Sequence, residues 1–242
     1  MSQLALSQQA DVSTRHISFV ENGRSAPSRE MVLVLASALD LPLRERNALL
    51  EAAGFAAVYP ETPLESDALA DARRAVEFLL ERHEPYPALA MDRHWNVVTA
   101  NGAALALFTP LLQQGRDGPA GLNAVEMIFD PDGLRGVICN WEELAGDLIQ
   151  RLHHESAFDT AAAELLERVL AFPDVPHGFG RPDPRAPHSP LLAVHLKNES
   201  LDLRLFTALT TLGTPQDVTL QELRIETYFP ADAAAEAFFA GG

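Results

Sequence analysis

A chain of 242 residues, 47% of them hydrophobic and 21% charged, is long enough for two ordinary domains and apolar enough to bury a core, which excludes wholesale disorder. Its apolar stretches fall short of the roughly 20 residues a membrane helix needs: the run 100–112 is broken by Asn101, Gly102 and Pro110, so no membrane partner is expected. The formal net charge of −16 opposes binding of nucleic acid by the chain as a whole, but it is unevenly spread.

Residues 1–50 hold Arg15, Arg24, Arg29, Arg44 and Arg46 against Asp11, Glu21, Glu30, Asp40 and Glu45, so that segment is neutral and the acidic excess lies downstream. A neutral segment with a local arginine set, attached to an acidic body, would allow dimeric, sequence-selective contact with duplex DNA while disfavouring non-specific contact. The start lacks the pattern of a secretory signal, so a cytoplasmic location is expected. A single cysteine, Cys139, forms no internal disulfide, and its apolar setting (Val137, Ile138) predicts a buried core position.

Residues 2–10 read as a short helix with Leu4, Leu6 and Ala10 as its apolar positions, closed by the turn Asp11-Val12-Ser13. Ser13 is an N-cap for a second helix over 14–22, with Ile17 and Val20 inward and Gly23 ending it. Ser28 caps a third, in which Met31, Val32, Leu35, Ala36 and Leu39 recur at helical spacing. Pro42 is expected at the first position of a fourth, 43–53, which stops at Gly54. Residues 55–66, with Pro60, Pro63 and several acids, read as a linker. Residues 68–82 are amphipathic, with Val76, Leu79 and Leu80 on one side. Two extended runs, 87–91 and 95–99, are joined by Asp92-Arg93-His94 as a hairpin. Residues 101–112 and 141–172 read as helical, the latter broken near 156–159. The Pro-, Gly- and His-rich stretch 173–190 reads as an irregular loop. Three β-rich runs follow, 191–197, 201–212 and 218–229. The expected fold class is multidomain: an all-α helix-turn-helix domain, then an α+β domain with an antiparallel sheet of about five strands and helices between its two halves.

The run Ser2-Gln3, Leu6-Ser7, Ala10-Asp11-Val12-Ser13, Ile17-Ser18, Glu21-Asn22-Gly23 resembles the Cro/repressor-type (XRE-family) helix-turn-helix over residues 1–54. The resemblance implies that the helix opening at Ser13 enters the major groove, with Thr14, Arg15 and Ser18 at the base edges. Arg15 is the expected guanine reader. Gln3, Asn22 and Arg24 stand where the family grips phosphates. Asp11 and Ser7 replace the glycine and alanine usual in the family. The family's first helix would precede Ser2, so the natural product is expected to begin upstream of Met1, and without that helix Leu6, Val12 and Val20 are expected to be partly uncovered.

The continuation Pro27-Ser28-Arg29-Glu30-Met31-Val32, Leu41-Pro42-Leu43-Arg44-Glu45-Arg46-Asn47, Asp92-Arg93-His94-Trp95-Asn96, Gly133-Leu134-Arg135, Asn140-Trp141 and Leu212-Gly213-Thr214-Pro215 narrows the likeness to the MmyB-like class of XRE regulators. This resemblance implies a PAS-like second domain that holds a fatty-acid-like or other apolar small molecule, with no further cofactor required. Trp95, Phe108, Phe129, Trp141, Phe206 and Phe229 are the expected apolar walls, and Asn101, Arg135, Arg204 and Thr210 the expected anchors for a carboxylate or carbonyl. The domains are read as 1–55 (DNA reader), 56–84 (linker and connecting helix) and 85–232 (ligand domain). His153, His154 and Glu155 do not make a metal site, because adjacent residues on a helix point about 100° apart. No catalytic motif is recognisable, so the expectation is a ligand-responsive, homodimeric regulator of transcription. The alternative is a small-molecule enzyme or carrier with a vestigial reader.

Overall fold

The structure is a computed structural model that describes residues 1–112, 118–157, 159–182, 192–213 and 215–241. The chain forms two compact units: Met1–Leu69 with Leu212–Gln221, and Ala70–Thr211 with Glu222–Gly242.

The first unit is built on four helices, α1 (Gln3–Ala10), α2 (Thr14–Glu21), α3 (Arg29–Ala38) and α4 (Leu43–Ala52). Ser2, Ser13 and Ser28 cap the first three, each hydroxyl accepting a backbone N–H three residues on. Asp11 takes the left-handed conformation at φ 52° to end α1, a role that a short polar side chain tolerates. Pro42 stands one residue earlier than expected, as the N-cap of α4, because its ψ of 156° is still extended. The core is made by Ala10, Ile17, Val32, Ala36, Leu43 and Leu50, all buried, whereas Leu6, Val12 and Val20 are half-buried. Burying a side chain of the Ile17 or Leu50 kind contributes about 1.5–3 kcal/mol. The segment after α4 has neither helix nor strand up to residue 66. Asn47 pins it, donating to Tyr59 O at 2.7 Å and accepting from the N–H groups of Val58 and Tyr59. The same unit includes Leu212–Gln221, held by Val218 N–H to Pro60 O (2.8 Å), Thr62 N–H to the Asp217 carboxylate (3.2 Å) and Leu43 N–H to the Gln221 amide oxygen (2.6 Å).

The second unit runs α5 (Ala70–Arg82), β1 (Ala88–Met91), β2 (Val97–Ala100), α6 (Gly102–Phe108), α7 (Ala124–Phe129), α8 (Trp141–Ser156), α9 (Thr160–Leu170), β3 (Leu192–Lys197) and β4 (Asp202–Thr211). It then resumes, past the short helix α10 (Val218–Glu222), with β5 (Arg224–Pro230) and α11 (Ala233–Ala240). The five strands form one sheet in the order β2-β1-β5-β4-β3, every neighbouring pair antiparallel. This is the α+β architecture expected, with α6 to α9 inserted between the second and third strands. The core lies between the sheet and those helices. On α8, Trp141, Leu144, Ala145, Leu148, Ile149 and Leu152 recur at helical spacing and are buried. On β4, Leu203, Leu205 and Thr207 point to the core while Arg204 points out.

Several expectations are corrected. Val218–Glu222 is helical, not the start of a strand: the Asp217 carboxylate takes the Thr219 N–H at 2.9 Å and overrides the β-propensity of Val218 and Thr219. Leu79 is exposed, off the stripe formed by Val76 and Leu80. Cys139 is exposed as well. Ile138 pairs with Leu196 and faces the core, and its neighbour on an extended run faces away. The loop expected at 173–190 contains a 3₁₀ turn at His177–Gly180, and its part from 183 to 190 lies outside the described residues, as do Leu191, Thr214 and residue 158. Among the described residues no helix is long and apolar enough to cross a membrane.

Candidate DNA-reading helix and ligand cavity

Of the residues assigned to DNA, Ser13, Arg15, Asn22 and Arg24 are exposed, and Gln3, Thr14 and Ser18 are half-buried. Arg15 is exposed on the first turn of α2, its guanidinium 5.2 Å from the centre of the Phe19 ring, which keeps the long side chain along the helix. Ser18 and Asn22 are coupled, the Asn22 amide donating to Ser18 O at 2.7 Å and to its hydroxyl at 3.3 Å. Thr14 donates to the Ser7 hydroxyl at 3.1 Å, tying the two helices. The Gln3 amide donates to the Glu21 carboxylate, a second tie between α1 and α2. Arg24 is exposed just after Gly23, whose φ of 67° turns the chain. Ser13 is occupied as a cap, so of the assigned set only Arg15 and Arg24 extend a cationic group into solvent from this surface.

Inside the second unit lies a cavity of about 60 Å³. Its walls come from the core face of the sheet and from the segments packed on it, with Phe108, Val125, Ile128, Leu148, Val194 and Leu196 among the apolar groups. Four of the lining side chains are polar in another sense: Arg151, Thr207, Glu226 and Tyr228. Thr207 and Tyr228 face each other across the β4–β5 ladder, and Glu226 precedes Tyr228 by one pleat on the same face. Both hydroxyls hydrogen-bond the Glu226 carboxyl. Burial pushes that carboxyl above the ordinary range, against the pull of those hydrogen bonds and of the Arg151 charge. Burial, and next the Glu226 charge, hold the Tyr228 phenol well above its ordinary value.

Trp95 closes part of the same wall and holds its backbone at φ 68°, a strained conformation for a bulky residue. It is fixed on several sides. Its N–H donates to Asp92 O at 3.1 Å, and its indole donates to one Glu155 oxygen at 3.1 Å. The other Glu155 oxygen takes Arg224 at 2.7 Å. The Arg224 and Arg151 guanidiniums lie 4.3 and 5.4 Å from the centre of the indole ring.

Of the ten residues assigned to ligand from the sequence, only Trp95 and Phe108 line this cavity. Phe129 and Trp141 are core: their rings meet edge-on at 5.5 Å, and the Trp141 indole donates to Ile128 O. Asn101 is consumed structurally, accepting from the N–H groups of Ala88 and Ala104 and donating to Leu80 O and Tyr86 O. Arg135 donates to the carbonyls of Pro173 and Asp174 and covers Trp141 at 4.1 Å. Arg204, Phe206 and Thr210 alternate with the inward residues of β4 and sit on the opposite face, as Phe229 does on β5, where it stacks on Phe206 at 5.1 Å. The polar lining residues that the sequence reading did not single out are Arg151, Thr207, Glu226 and Tyr228. Alternation along β5 separates Arg224, Glu226 and Tyr228 from Ile225, Thr227 and Phe229, but hydrophobicity marks the second set as the inward one. The sheet is covered on both faces, so that rule points the wrong way.

A family model described as the MmyB-like transcription regulator ligand binding domain matches residues 72–240, and one described as helix-turn-helix matches residues 1–46. A search of curated proteins finds no match. Among solved structures, the PAS domain from Bordetella pertussis BvgS aligns with 14% identity over 69% of this chain and 92% of that one, at a TM-score of 0.35, a likeness too slight to carry an argument. With one model covering most of the second unit and the other covering the capped helices of the first, the chain belongs to the MmyB-like transcription regulators, DNA-binding proteins with a ligand-binding domain.

Proposed function

We propose that this regulator binds DNA as a homodimer and that a small, largely apolar molecule in the cavity of the second unit sets how it binds. The observation that carries the reading is the cavity with mostly apolar walls and a few polar groups, Arg151, Thr207, Glu226 and Tyr228, in its lining, the usual form of a small-molecule site. A cavity of about 60 Å³ is smaller than the about 150 Å³ that admits benzene in a protein core, so a ligand enters with outward movement of the walls. That movement is the signal. Leu209 on β4 and Glu226 and Tyr228 on β5 line the cavity, and the segment that joins these two strands, Leu212–Gln221, belongs to the helical unit. A shift of β4 against β5 therefore moves the ends of a segment bonded to Leu43, Pro60 and Thr62. In a dimer the two α2 helices address half-sites about one DNA turn, roughly 34 Å, apart, so a small change in either unit alters their match to the duplex.

Native mass spectrometry of the purified chain tests both parts. The expected result is a dimer that carries, or takes up, a small apolar compound, with a rise in melting temperature on its addition. A monomer with no retained compound, and no thermal shift across a panel of apolar molecules, contradicts the reading.

A further inference from the structure

Helix α5 is apolar on two opposite sides, and the core uses only one of them. Val76 and Leu80 are buried, whereas Ala75, Phe78 and Leu79 are exposed, Phe78 by 54% and Leu79 by 50%. At about 100° per residue, Asp71, Ala75, Phe78 and Arg82 fall on one narrow stripe that faces away from Val76 and Leu80, and all four are exposed. Along the helix that stripe reads negative, small, large aromatic, positive. The Arg82 guanidinium lies 5.0 Å from the centre of the Phe78 ring, and Arg74 pairs with Asp71 one turn away.

This order is complementary to itself when reversed. A second copy of α5 laid antiparallel on the first, with the twofold axis between Val76 and Glu77, sets Asp71 opposite the partner's Arg82 and Ala75 opposite the partner's Phe78. Both contacts recur across the axis. Each ring then meets a small side chain, and each end pairs opposite charges. On one flank Arg74 comes beside the partner's Glu81, and on the other Leu79 meets the partner's Leu79. A parallel pair sets like against like, Asp71 on Asp71 and Arg82 on Arg82, which disfavours it. The reversed pair removes the exposed apolar stripe from water with every facing charge matched.

We infer that the outward face of α5 is an interface between two copies of this chain, paired antiparallel through Ala75 and Phe78 with an Asp71–Arg82 ion pair at each end. The inference rests on the reading of the regulator as a homodimer and gives that dimer its surface. Helix α5 starts at Ala70, immediately after the segment Met1–Leu69 of the helical unit, so pairing there tethers two readers and raises the effective concentration of one for the second half-site. The helix is only about 20 Å long, which makes this a small interface and a dimer that dissociates on dilution.

Sedimentation equilibrium of the full-length chain over a concentration series, at low salt and without DNA, tests the assignment. The wild type is expected to dimerise reversibly. Phe78→Glu puts a charge in place of the central anchor and is expected to weaken the dimer at least about tenfold. Arg82→Asp sets two carboxylates against each other at both ends, with an expected weakening of about threefold or more. Asp71→Arg together with Arg82→Asp restores opposite charges and is expected to recover most of the wild-type affinity, which a merely local role for Arg82 would not produce. Folding of each variant is checked by circular dichroism, and the charge-reversal series decides alone if Phe78→Glu does not fold. A wild-type dimer that Phe78→Glu or Arg82→Asp leaves as tight as before, or that the double reversal does not restore, overturns the α5 interface and leaves the homodimer reading standing. A wild type that stays monomeric throughout the series overturns the homodimer reading and the inference with it.

Discussion

Gly133 shows how sharply single residues are specified in this domain. A Cβ there would lie 2.4 Å from Met127 O, whose carbonyl already accepts the Leu134 N–H at 2.7 Å. Gly133→Ala must displace that turn, and the expected cost is about 1–3 kcal/mol, read as a lower urea midpoint. Asn101 is equally specified, with all four of its side-chain hydrogen-bonding partners in place. Asn101→Ala loses a cap and leaves buried backbone groups unpaired, an expected loss of about 2–4 kcal/mol by the same denaturation measurement. Glu226 differs in sign from a surface carboxylate. Its folded-state pKa is raised by burial, so its contribution to stability is present below the ordinary carboxylate pKa and is lost as pH rises through the raised value, with Arg151, Thr207 and Tyr228 as the groups that face it. Melting curves across that range are expected to fall less steeply with rising pH in Glu226→Gln than in the wild type, and parallel curves would contradict the burial argument. Arg15→Ala on α2 is expected to weaken preference at one guanine by about 1–3 kcal/mol, while Gln3→Ala on α1 is expected to weaken binding to all sequences more evenly, as read by competition with non-specific duplex. Caps such as Ser13 and Ser28 were legible because a short polar side chain ahead of an apolar period has one main use. The polar residues of the cavity lining were not, because charge and aromaticity say nothing about which face of a strand a residue takes.

At the scale of elements, long periodic stretches such as α8 and α9 were readable to within a residue or two, and so was their break, where the Asp159 carboxylate caps α9 through Ala161 and Ala162. Short elements were not. The six-residue α7 depends on Asn123, whose side chain both caps the helix and donates to His94 O at 2.7 Å, a tertiary contact invisible in the local pattern. The helix α10 depends on Asp217 in the same way. Asp217→Ala removes the acceptor for the N–H groups of Thr62 and Thr219, and faster amide exchange across 215–222 and at Thr62 is the expected outcome. Unchanged exchange there would show that Val218 N–H to Pro60 O suffices to hold the segment.

Across the whole molecule the charge distribution and the chain path matter more than any one contact. The neutral first 50 residues carry the helix-turn-helix and the acidic excess lies in the remainder, so on the proposed reading affinity depends on the few groups that α2 brings to the groove and on their duplication in the proposed dimer. The order of the longer elements was legible from the alternation of helical and strand periods, because period follows from backbone geometry, whereas α7, α10 and α11 were not read as helices. The inclusion of Leu212–Gln221 in the helical unit was not, since it rests on hydrogen bonds between residues 155 and 178 positions apart in sequence. The most direct measurement is the affinity of the full chain for its own upstream DNA, by fluorescence anisotropy, with and without a cavity ligand such as 1-hexanol, in the wild type and in Val194→Phe. The account predicts sequence-selective binding whose affinity changes with ligand in the wild type and stays fixed in the filled variant. Selective binding that ignores the ligand in both, or responds equally in both, would contradict it.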